Sequence, residues 1–229
     1  MIGIICAQKI EVDGLKAVME NPVSFCKAGL EFVSGTIFEK DVVLLECGAG
    51  KVNAAVGTQI MIDVYKPDVV INSGIAGSLT KKLTVGDIVI STDCVEHDIN
   101  CTELGEPRGQ INFTGESIIG IPADEEVSKK LAGCCKDLGS HVLMGRIATG
   151  DIFITYKSKR DFIAFEFGAL CCEMQGGAVG HVCYMNGVPF TILRSISDDL
   201  KFNKPENYEE FKQLAADRAI KALKKFIRE

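Results

Sequence analysis

The sequence predicts an α/β fold in one domain, built around a largely parallel or mixed sheet. Short, continuous apolar runs, which are typical of strands buried on both faces, alternate with segments of helical periodicity. No linker or break in composition interrupts residues 1–229, and the content of 47% apolar and 24% charged residues is typical of a globular protein. Because amphipathic helices bury their apolar faces against neighbouring elements, we expect the helices to pack on the sheet.

The first half of the chain begins the alternation of strands and helices. In chain order the pattern predicts a strand, a helix, two strands, a helix and two strands, at 2–7, 10–19, 30–38, 41–48, 51–65, 68–74 and 86–92. The polar pair Glu39–Lys40 lies between two β-rich segments and predicts a hairpin.

The second half continues in the same way. The pattern predicts a helix, three strands with helices between them and a last helix, at 123–139, 142–150, 169–174, 189–197 and after Pro205. Gly139 suits the C-cap of the first of these helices. The apolar stripe of the last helix consists of Phe211, Leu214, Ala215, Ala219, Ala222, Leu223 and Phe226.

The overall charge and the apolar pattern exclude several classes of partner. The net charge of −6 and the isoelectric point near 5.2 argue against a nucleic-acid-binding protein, which would present a basic surface. No apolar stretch approaches the roughly 20 residues of a membrane span. Residues 1–12 lack the basic region and the long apolar run of a signal peptide. We therefore expect a cytoplasmic protein that binds neither nucleic acid nor membrane.

The ten cysteines and three histidines are not spaced like a disulfide framework or a metal site. Most of the cysteines lie in apolar runs, where a thiol behaves as a small buried hydrophobic group, and none is part of a C-x-x-C pair. His97, His141 and His181 lie far apart in the sequence. We therefore expect reduced thiols, no metal and no cofactor.

Polar and glycine residues follow the predicted strands. These groups lie at 48–50, 72–77, 149–151, 173–177 and 195–199. Because ligands of α/β proteins bind beyond the carboxyl ends of the strands, the groups predict a site at that edge of the sheet. The acids Glu11, Glu173, Asp198 and Asp199 would converge there, and carboxylates suit acid–base chemistry on a small polar substrate.

Each of these segments also has a simpler structural interpretation. Glu11 alone is an acid favoured at a helix N-terminus, and the glycines of "GAGK" at 48–51 and "NSGIAG" at 72–77 suit tight turns. The chain lacks a P-loop, a G-x-G-x-x-G dinucleotide pattern and the G-x-S-x-G elbow of a serine hydrolase. The residue patterns alone therefore predict a metal-free α/β enzyme with acid–base chemistry.

Eight motifs, in order along the chain, resemble the nucleoside phosphorylase/hydrolase superfamily. They are "GIICAQKIEV", "GAGKVNAAVG", "PDVVINSGIAGSL", "VGDIVIS", "HD" at 97–98, "TGDIFI", "CCEMQGGAVGHVC" and "VPFTILRSISDD". Within the superfamily the likeness is to the bacterial 5′-methylthioadenosine/S-adenosylhomocysteine nucleosidases, and it extends nearly from end to end. It implies a single domain of residues 1–229 with a three-layer α/β/α architecture and a mixed central sheet.

The resemblance also implies a reaction. The N-glycosidic bond of 5′-methylthioadenosine or S-adenosylhomocysteine would be hydrolysed to adenine and a 5′-thioribose. Glu11 matches the acid that activates the attacking water, and Asp198 matches the acid that protonates N7 of the purine, with Ser197 orienting it. Asp198 must be protonated for this step, which burial in a dry pocket would favour.

The substrate contacts implied by the resemblance come from Ala76, Gly77, Phe153, Ile154, Glu173, Met174, Gln175, Arg194, Ser197 and Tyr208. Phe153 would stack on the adenine, and the backbone of Ile154 would read its Watson–Crick edge. Met174 would lie under the ribose, and Glu173 and Arg194 would lie near the ribose and the water.

Two further features implied by the resemblance concern the 5′ side of the substrate. Tyr208 matches an aromatic residue of the 5′-thioalkyl pocket. The loop at 101–110 matches one that completes the site of a neighbouring subunit, so the resemblance implies a homodimer. Gln8 and Ala49 stand where larger apolar side chains often line the family's pocket, which leaves the preferred 5′ group open.

Gln175 is the main departure from the family's pattern. The family has a Glu at this position, whose carboxylate binds the 2′- and 3′-hydroxyls of the ribose. An amide keeps the shape of the side chain, accepts through one oxygen and lacks the charge. Because the ribosyl transition state is cationic, we expect reduced activity.

Several functions stay open on the sequence alone. One is a nucleosidase for an aminofutalosine-type substrate, and another is a nucleoside phosphorylase. Glu11 favours hydrolysis over phosphorolysis, since a phosphorylase requires a basic anion site in that region. A nucleoside-binding protein with little turnover is the remaining alternative.

Overall fold

The computed structural model describes residues 1–198 and 208–229, and the side chain of Tyr208 lies outside the described part. The strands and helices within these residues, numbered in chain order, are β1 (Ile2–Cys6), α1 (Lys9–Lys16), β2 (Glu20–Lys27), β3 (Leu30–Ile37), β4 (Lys40–Glu46), α2 (Lys51–Tyr65), β5 (Val69–Ser78), β6 (Ile88–Glu96), a 3₁₀ turn (Thr102–Leu104), β7 (Ile111–Asn112), β8 (Ser117–Ile118), β9 (Ile121–Pro122), α3 (Glu125–Asp137), β10 (Val142–Thr149), α4 (Lys157–Phe167), β11 (Cys171–Glu173), α5 (Gly176–Asn186), β12 (Phe190–Asp198) and α6 (Tyr208–Arg228). The predicted alternation of strands and helices is confirmed.

The central sheet is mixed, as predicted. Its strand order is β11-β10-β6-β12-β5-β1-β4-β3-β2, and β9 adds to β6. β1 lies parallel to both β4 and β5, whereas β12 is parallel to β5 and antiparallel to β6. β11 also pairs with β5, so the strands β5, β12, β6, β10 and β11 form a closed ring. The linear pattern of the sequence did not predict this closure, because strand order depends on long-range pairing.

Helices cover both faces of the sheet in three layers. On one face, α1, α3 and α6 pack against β1, β4, β6 and β12 through a buried cluster that includes Leu15, Leu131 and Leu223. On the other face, α2 and α5 bury Met61 and Val179 against the sheet. Apolar burial of this kind supplies most of the stability of a helix in a folded protein, so the two clusters fix where the helix ends lie relative to the sheet.

The β3–β4 hairpin is confirmed, but its turn lies one residue earlier than Glu39–Lys40. Phe38 and Glu39 both have positive φ, of 50° and 65°. Two successive residues with positive φ make a turn whose twist matches that of a two-residue hairpin. Neither residue is a glycine or an asparagine, so the pairing of the flanking strands imposes the conformation.

Two elements near the start of the chain differ from the prediction. β2 was not predicted, because all of its residues are exposed on the edge of the sheet and show no alternating pattern. α1 ends at Lys16, and turns through Val18 and Met19 lead the chain into β2.

The apolar stripe of α6 is confirmed with one correction. Ala215, Ala219, Leu223 and Phe226 are buried, but Leu214 is exposed because it lies next to the buried row.

Eight of the ten cysteines are buried, as their apolar contexts predicted, whereas Cys26 is exposed and Cys101 is partly exposed. Within 1–198 and 208–229, no helix is long and apolar enough to cross a membrane.

Candidate active site

Nearly all of the predicted site residues line a single cavity. It opens where β1, β5, β11 and β12 end and where the segment after β10 crosses them. Its lining residues are Ala7, Gln8, Glu11, Ala49, Ile75, Ala76, Gly77, Ile152, Phe153, Ile154, Cys172, Glu173, Met174, Gln175, Ser197 and Asp198. The acids Glu11, Glu173 and Asp198 therefore converge as expected, and Asp199 lies outside the described residues.

Glu11 lies in the first turn of α1 and is almost fully buried. Its Oε2 accepts hydrogen bonds from the backbone N–H groups of Ala7 and Gln8, at 3.0 and 2.8 Å, and its Oε1 accepts one from Ile75 N at 3.1 Å. Burial raises the pKa of Glu11 above its usual range, although Arg194 and the three N–H donors act in the opposite direction. The result is a fixed carboxylate with enhanced basicity at the cavity wall.

Glu173 has a different environment, because its carboxylate is held on every side. Oε1 accepts from the hydroxyl of Thr149 and from Gly176 N, and Oε2 accepts from Gln175 N at 2.8 Å and from the guanidinium of Arg194. Arg194 also donates to the side-chain oxygen of Asn72. Carboxylates with this many partners serve to fix the backbone around them, and Glu173 thereby holds the start of α5 beside the cavity.

Arg194 does not line the cavity. Its side chain is 1% exposed and lies behind the lining, between Glu173 and Asn72. A built Cβ on Gly74 would lie 2.8 Å from Nη1 of Arg194 and 2.9 Å from Oε1 of Glu11. Arg194 therefore acts on the cavity through Glu173 and Glu11, and Gly74 provides the space for both charged groups.

Asp198 is the last residue of β12, opposite Gly77 of β5 after a register shift at Ile196. Its Oδ1 accepts a hydrogen bond from Ser197 Oγ at 3.2 Å, which agrees with the orienting contact expected of Ser197. Its Oδ2 accepts from Arg160 Nη2 at 2.6 Å. The Asp198 side chain is 17% exposed, so burial favours its neutral form as expected, whereas the neighbouring guanidinium favours the charged carboxylate.

The remaining cavity residues follow β10 and β11. Phe153 and Ile154 lie in the segment between β10 and α4, and Met174 and Gln175 connect β11 to α5. Phe153 is 60% exposed, so its ring is accessible from the cavity and from solvent. Gln175 is the N-cap of α5 and is buried. The residues expected to contact the base thus lie between β10 and α4, and those expected to contact the ribose lie between β11 and α5.

Comparisons with known proteins agree with this geometry. A profile of the phosphorylase superfamily matches residues 1–228. The chain belongs to the phosphorylase superfamily. One relative is the 5′-methylthioadenosine/S-adenosylhomocysteine nucleosidase of Shewanella halifaxensis. It is 38% identical to this chain over 212 residues, which cover 92% of this chain and 91% of the relative.

Solved structures of the superfamily have the same fold. The 5′-methylthioadenosine/S-adenosylhomocysteine nucleosidase of Neisseria meningitidis, in complex with methylthio-immucillin-A, superposes with a TM-score of 0.92 at 30% identity, over 99% of this chain and 98% of that one. The native futalosine hydrolase of Helicobacter pylori has a TM-score of 0.90 at 30% identity, over 99% and 96% of the two chains. The α/β fold and the family resemblance read from the motifs are confirmed.

Three residues that hold the charged side chains of the site in place were not predicted. Thr149 and Asn72 bind Glu173 and Arg194, and Arg160 binds Asp198. A signal for Arg160 was present, because it lies three and seven residues before the buried Ile163 and Phe167, on the same face of α4. Thr149 and Asn72 lie in predicted polar groups, but their partners come from distant strands.

A charged network around Lys51 lies next to the cavity. Lys51 Nζ donates to Glu96 at 2.9 Å and to Asp98 at 2.7 Å, and Lys51 N donates to Asp151 Oδ1 at 2.7 Å. Burial lowers the pKa of Lys51, but hydrogen bonds to Asp98 and Glu96 outweigh it and hold this pKa above its usual range. The start of α2 is thereby joined to the segment that carries Phe153.

Proposed function

We propose that this chain hydrolyses the N-glycosidic bond of 5′-methylthioadenosine and S-adenosylhomocysteine, releasing adenine and a 5′-thioribose. The observation that carries the proposal is the placement of Glu11 and Asp198 in one cavity together with Phe153, Met174 and Gln175. Relatives that share 38% identity over most of the chain carry the names of these two substrates.

Glu11 activates the attacking water in this proposal. Its three backbone donors hold the carboxylate in one orientation, and its raised pKa makes it a better proton acceptor than an exposed Glu. A positioned general base typically contributes ~10²–10⁴-fold in rate. The proton that leaves the water is taken by Glu11 as oxygen bonds to C1′.

Asp198 assists departure of the adenine. The C1′–N9 bond breaks with its electron pair moving to the purine, and a proton from the Asp198 carboxyl neutralises N7. Ser197 holds one carboxylate oxygen of Asp198, and Phe153 supplies an aromatic surface for the base. The backbone of Ile154, on the same connection, lies where it can contact the base edge.

The ribose lies over Met174 and Gln175 in this arrangement, with the backbone of Ala76 and Gly77 forming the opposite wall. Gln175 accepts one ribose hydroxyl through Oε1 and donates to the other through Nε2. It supplies no negative charge to the ribosyl cation, so we propose a slower chemical step than a Glu would give.

The reaction is a hydrolysis rather than a phosphorolysis. Among the described residues that line the cavity, none is a Lys or Arg whose side chain could bind a phosphate dianion. Two buried cations lie behind the wall, and both are already bound, Arg194 to Glu173 and Asn72 and Arg160 to Asp198. Dependence of turnover on added phosphate would contradict this part of the proposal.

The 5′ group of the substrate would lie against Ala49 and Gln8. Ala49 and Gln8 leave a short, partly polar wall. The resemblance assigns Tyr208 to this pocket, and its side chain lies outside the described residues. The similarity to a futalosine hydrolase makes an aminofutalosine-type nucleoside the second candidate substrate. Adenine release from the three nucleosides, compared as kcat/KM, distinguishes the candidates.

The central experiment is a coupled assay of adenine release by the unaltered chain, Glu11→Gln and Asp198→Asn. We expect turnover in the unaltered chain and a loss of at least about 10²-fold in each variant. Tight binding of an intact nucleoside in calorimetry, without adenine release, would instead support a binding protein.

We further propose a homodimer in which the loop at 101–110 reaches the neighbouring site. Large apolar side chains are exposed on the α2–α5 side of the molecule and in that loop, with Val52 73%, Met185 66% and Leu104 80% exposed. Val52 and Met185 line one surface depression, and contiguous exposed apolar surface is typical of a protein–protein interface.

A further inference from the structure

Arg160 connects the two walls of the cavity that would contact the base. Its Nη2 donates to Asp198 Oδ2 at 2.6 Å, and its Nε donates to the carbonyl of Ile154 at 3.3 Å. The side chains of Arg160 and Asp198 are 8% and 17% exposed. One guanidinium therefore holds both the proposed acid and the segment beside the proposed base site.

Among the described residues, the groups that act on Asp198 come from α4, β11 and β12. Arg160 faces it from α4, Cys172 and Glu173 lie on β11, and Ser197 is its neighbour on β12. Burial raises the pKa of Cys172 to about 12, so its thiol is neutral. Glu173 is bound to Arg194, and Arg160 forms an ion pair with Asp198.

We propose that Arg160 is a positioning residue that prepares Asp198 for proton transfer to the purine, a proposal that rests on the proposed nucleosidase function. When N7 takes the proton of the Asp198 carboxyl, the carboxylate that remains is the species that Arg160 stabilises. The electron pair of the C1′–N9 bond moves to the adenine, and the proton of the attacking water goes to Glu11. Arg160 touches neither substrate nor water in this scheme.

Loss of the Arg160 guanidinium should change the titration of Asp198 even without turnover. Removing the guanidinium removes its stabilisation of the Asp198 carboxylate, so the carboxyl should bind its proton at higher pH. An arginine next to an aspartate typically shifts the titration by about 1–3 pH units. We expect the ¹³C signal of the Asp198 carboxyl, assigned with Asp198→Asn, to titrate about one pH unit higher in Arg160→Gln.

Arg146→Gln is the matched control. Arg146 donates to Asp93 Oδ1 and Oδ2 in a partly buried pair on β6 and β10, outside the cavity lining. It should leave the Asp198 titration unchanged. An equal shift in both variants, or none in Arg160→Gln, would overturn the proposal.

Kinetics separate positioning from general structural damage. Arg160→Gln should lower kcat about tenfold and move the alkaline limb of the kcat profile to higher pH, because Asp198 stays protonated further up the pH scale. In the Asp198→Asn background the same change should have less than about a twofold effect. A full tenfold effect in that background would contradict action through Asp198.

A measurement on the unaltered protein covers the case in which Arg160→Gln does not fold. The ¹⁵N signals of the Arg160 guanidinium, assigned with Arg160→Lys, should titrate with the same midpoint as the Asp198 carboxyl. Different midpoints would overturn the proposal. Because both NMR measurements are independent of substrate, they remain interpretable if no nucleoside is hydrolysed, an outcome that contradicts the proposed function alone.

Discussion

Single residues of this protein differ in role because their surroundings differ, even where their side chains are the same. Glu11 and Glu173 are both buried carboxylates at the cavity, but only Glu173 has an arginine and a hydroxyl bound to it. Glu11 is held by backbone N–H groups and retains a raised pKa. We therefore assign proton transfer to Glu11 and a positioning role to Glu173.

The raised pKa of Glu11 predicts the acid limb of the pH profile. Glu11 must be a carboxylate to accept a proton, so activity is lost as pH falls through its pKa in the folded protein. Because burial raises that pKa, the limb in kcat/KM should lie above the ~4.3 of an ordinary Glu. A limb at or below that value would show that the N–H donors outweigh burial.

Gln175→Glu is expected to increase kcat. The change restores a negative charge beneath the ribosyl cation, and one such interaction is worth about 2–4 kcal/mol, or roughly 10²-fold in rate. Stopped-time adenine release under substrate saturation measures the effect. Gln213→Glu, the same change at an exposed position on α6, is the control and should leave kcat unaltered. Equal kcat values for the unaltered chain and Gln175→Glu would remove any role for the missing charge.

At the scale of elements, glycines let strands and charged side chains approach each other. Gly77 of β5 pairs with Cys172 of β11 and faces Asp198 of β12. A built Cβ at Gly77 would lie 3.0 Å from Asp198 Oδ2. The "NSGIAG" motif is therefore part of the site, and the simpler interpretation as a tight turn is wrong because these residues continue β5.

Gly77→Ala should reduce activity more than stability. The added methyl group displaces the Asp198 carboxylate, and we expect kcat to fall roughly 10–10²-fold, as for a displaced catalytic group. Gly133→Ala is the control, since nothing lies within 4 Å of a Cβ at that position of α3. It should raise stability by about 0.5–1 kcal/mol without changing kcat. Unchanged kcat in Gly77→Ala would contradict the close approach of Asp198.

The Lys51 network makes a prediction about stability. Lys51→Met leaves Glu96 and Asp98 partly buried without their shared cation, and breaking such a pair costs roughly 2–4 kcal/mol. The melting temperature should fall by about 5–15 °C. Lys129→Met, which removes an exposed pair with Glu125, should change stability by less than about 1 kcal/mol. Similar effects in the two variants would show that burial of the Lys51 network is unimportant.

At the scale of the whole molecule, closure of five strands into a ring decides where the site lies. β11 pairs with β10 and β5, so Thr149, Glu173 and Gly77 meet at one end of the ring. The helices on the two faces then place Glu11 and the start of α5 at the same end. The site is a product of long-range pairing rather than of any one motif.

The proposed dimer can be tested on the exposed apolar side. Val52→Glu places a charge on the α2–α5 face and should convert a dimer to a monomer in sedimentation velocity, with loss of activity because the 101–110 loop no longer completes the partner's site. Val23→Glu on the edge strand β2, also exposed, is the control and should leave the mass unchanged. A monomer before any substitution would contradict the proposal.

The sequence by itself determined the class of fold, the order of most elements and the family. Continuous apolar runs and helical periodicity carry that information locally, which is why α2, α3 and β10 were predicted nearly to the residue. The exposed strand β2 was missed because an edge strand buries too little to leave a pattern. Glu11, Glu173 and Asp198 were found because they follow strands.

Only the tertiary structure decided what surrounds those carboxylates. Arg160, Asn72 and Thr149 are separated from their partners by 24 to 122 residues, and no local pattern records such pairs. Burial and neighbouring charges are properties of the packed chain, and they determine proton affinity. The sequence therefore predicted which acids lie at the site. Only the fold showed that backbone N–H groups bind Glu11, whereas an arginine binds Asp198.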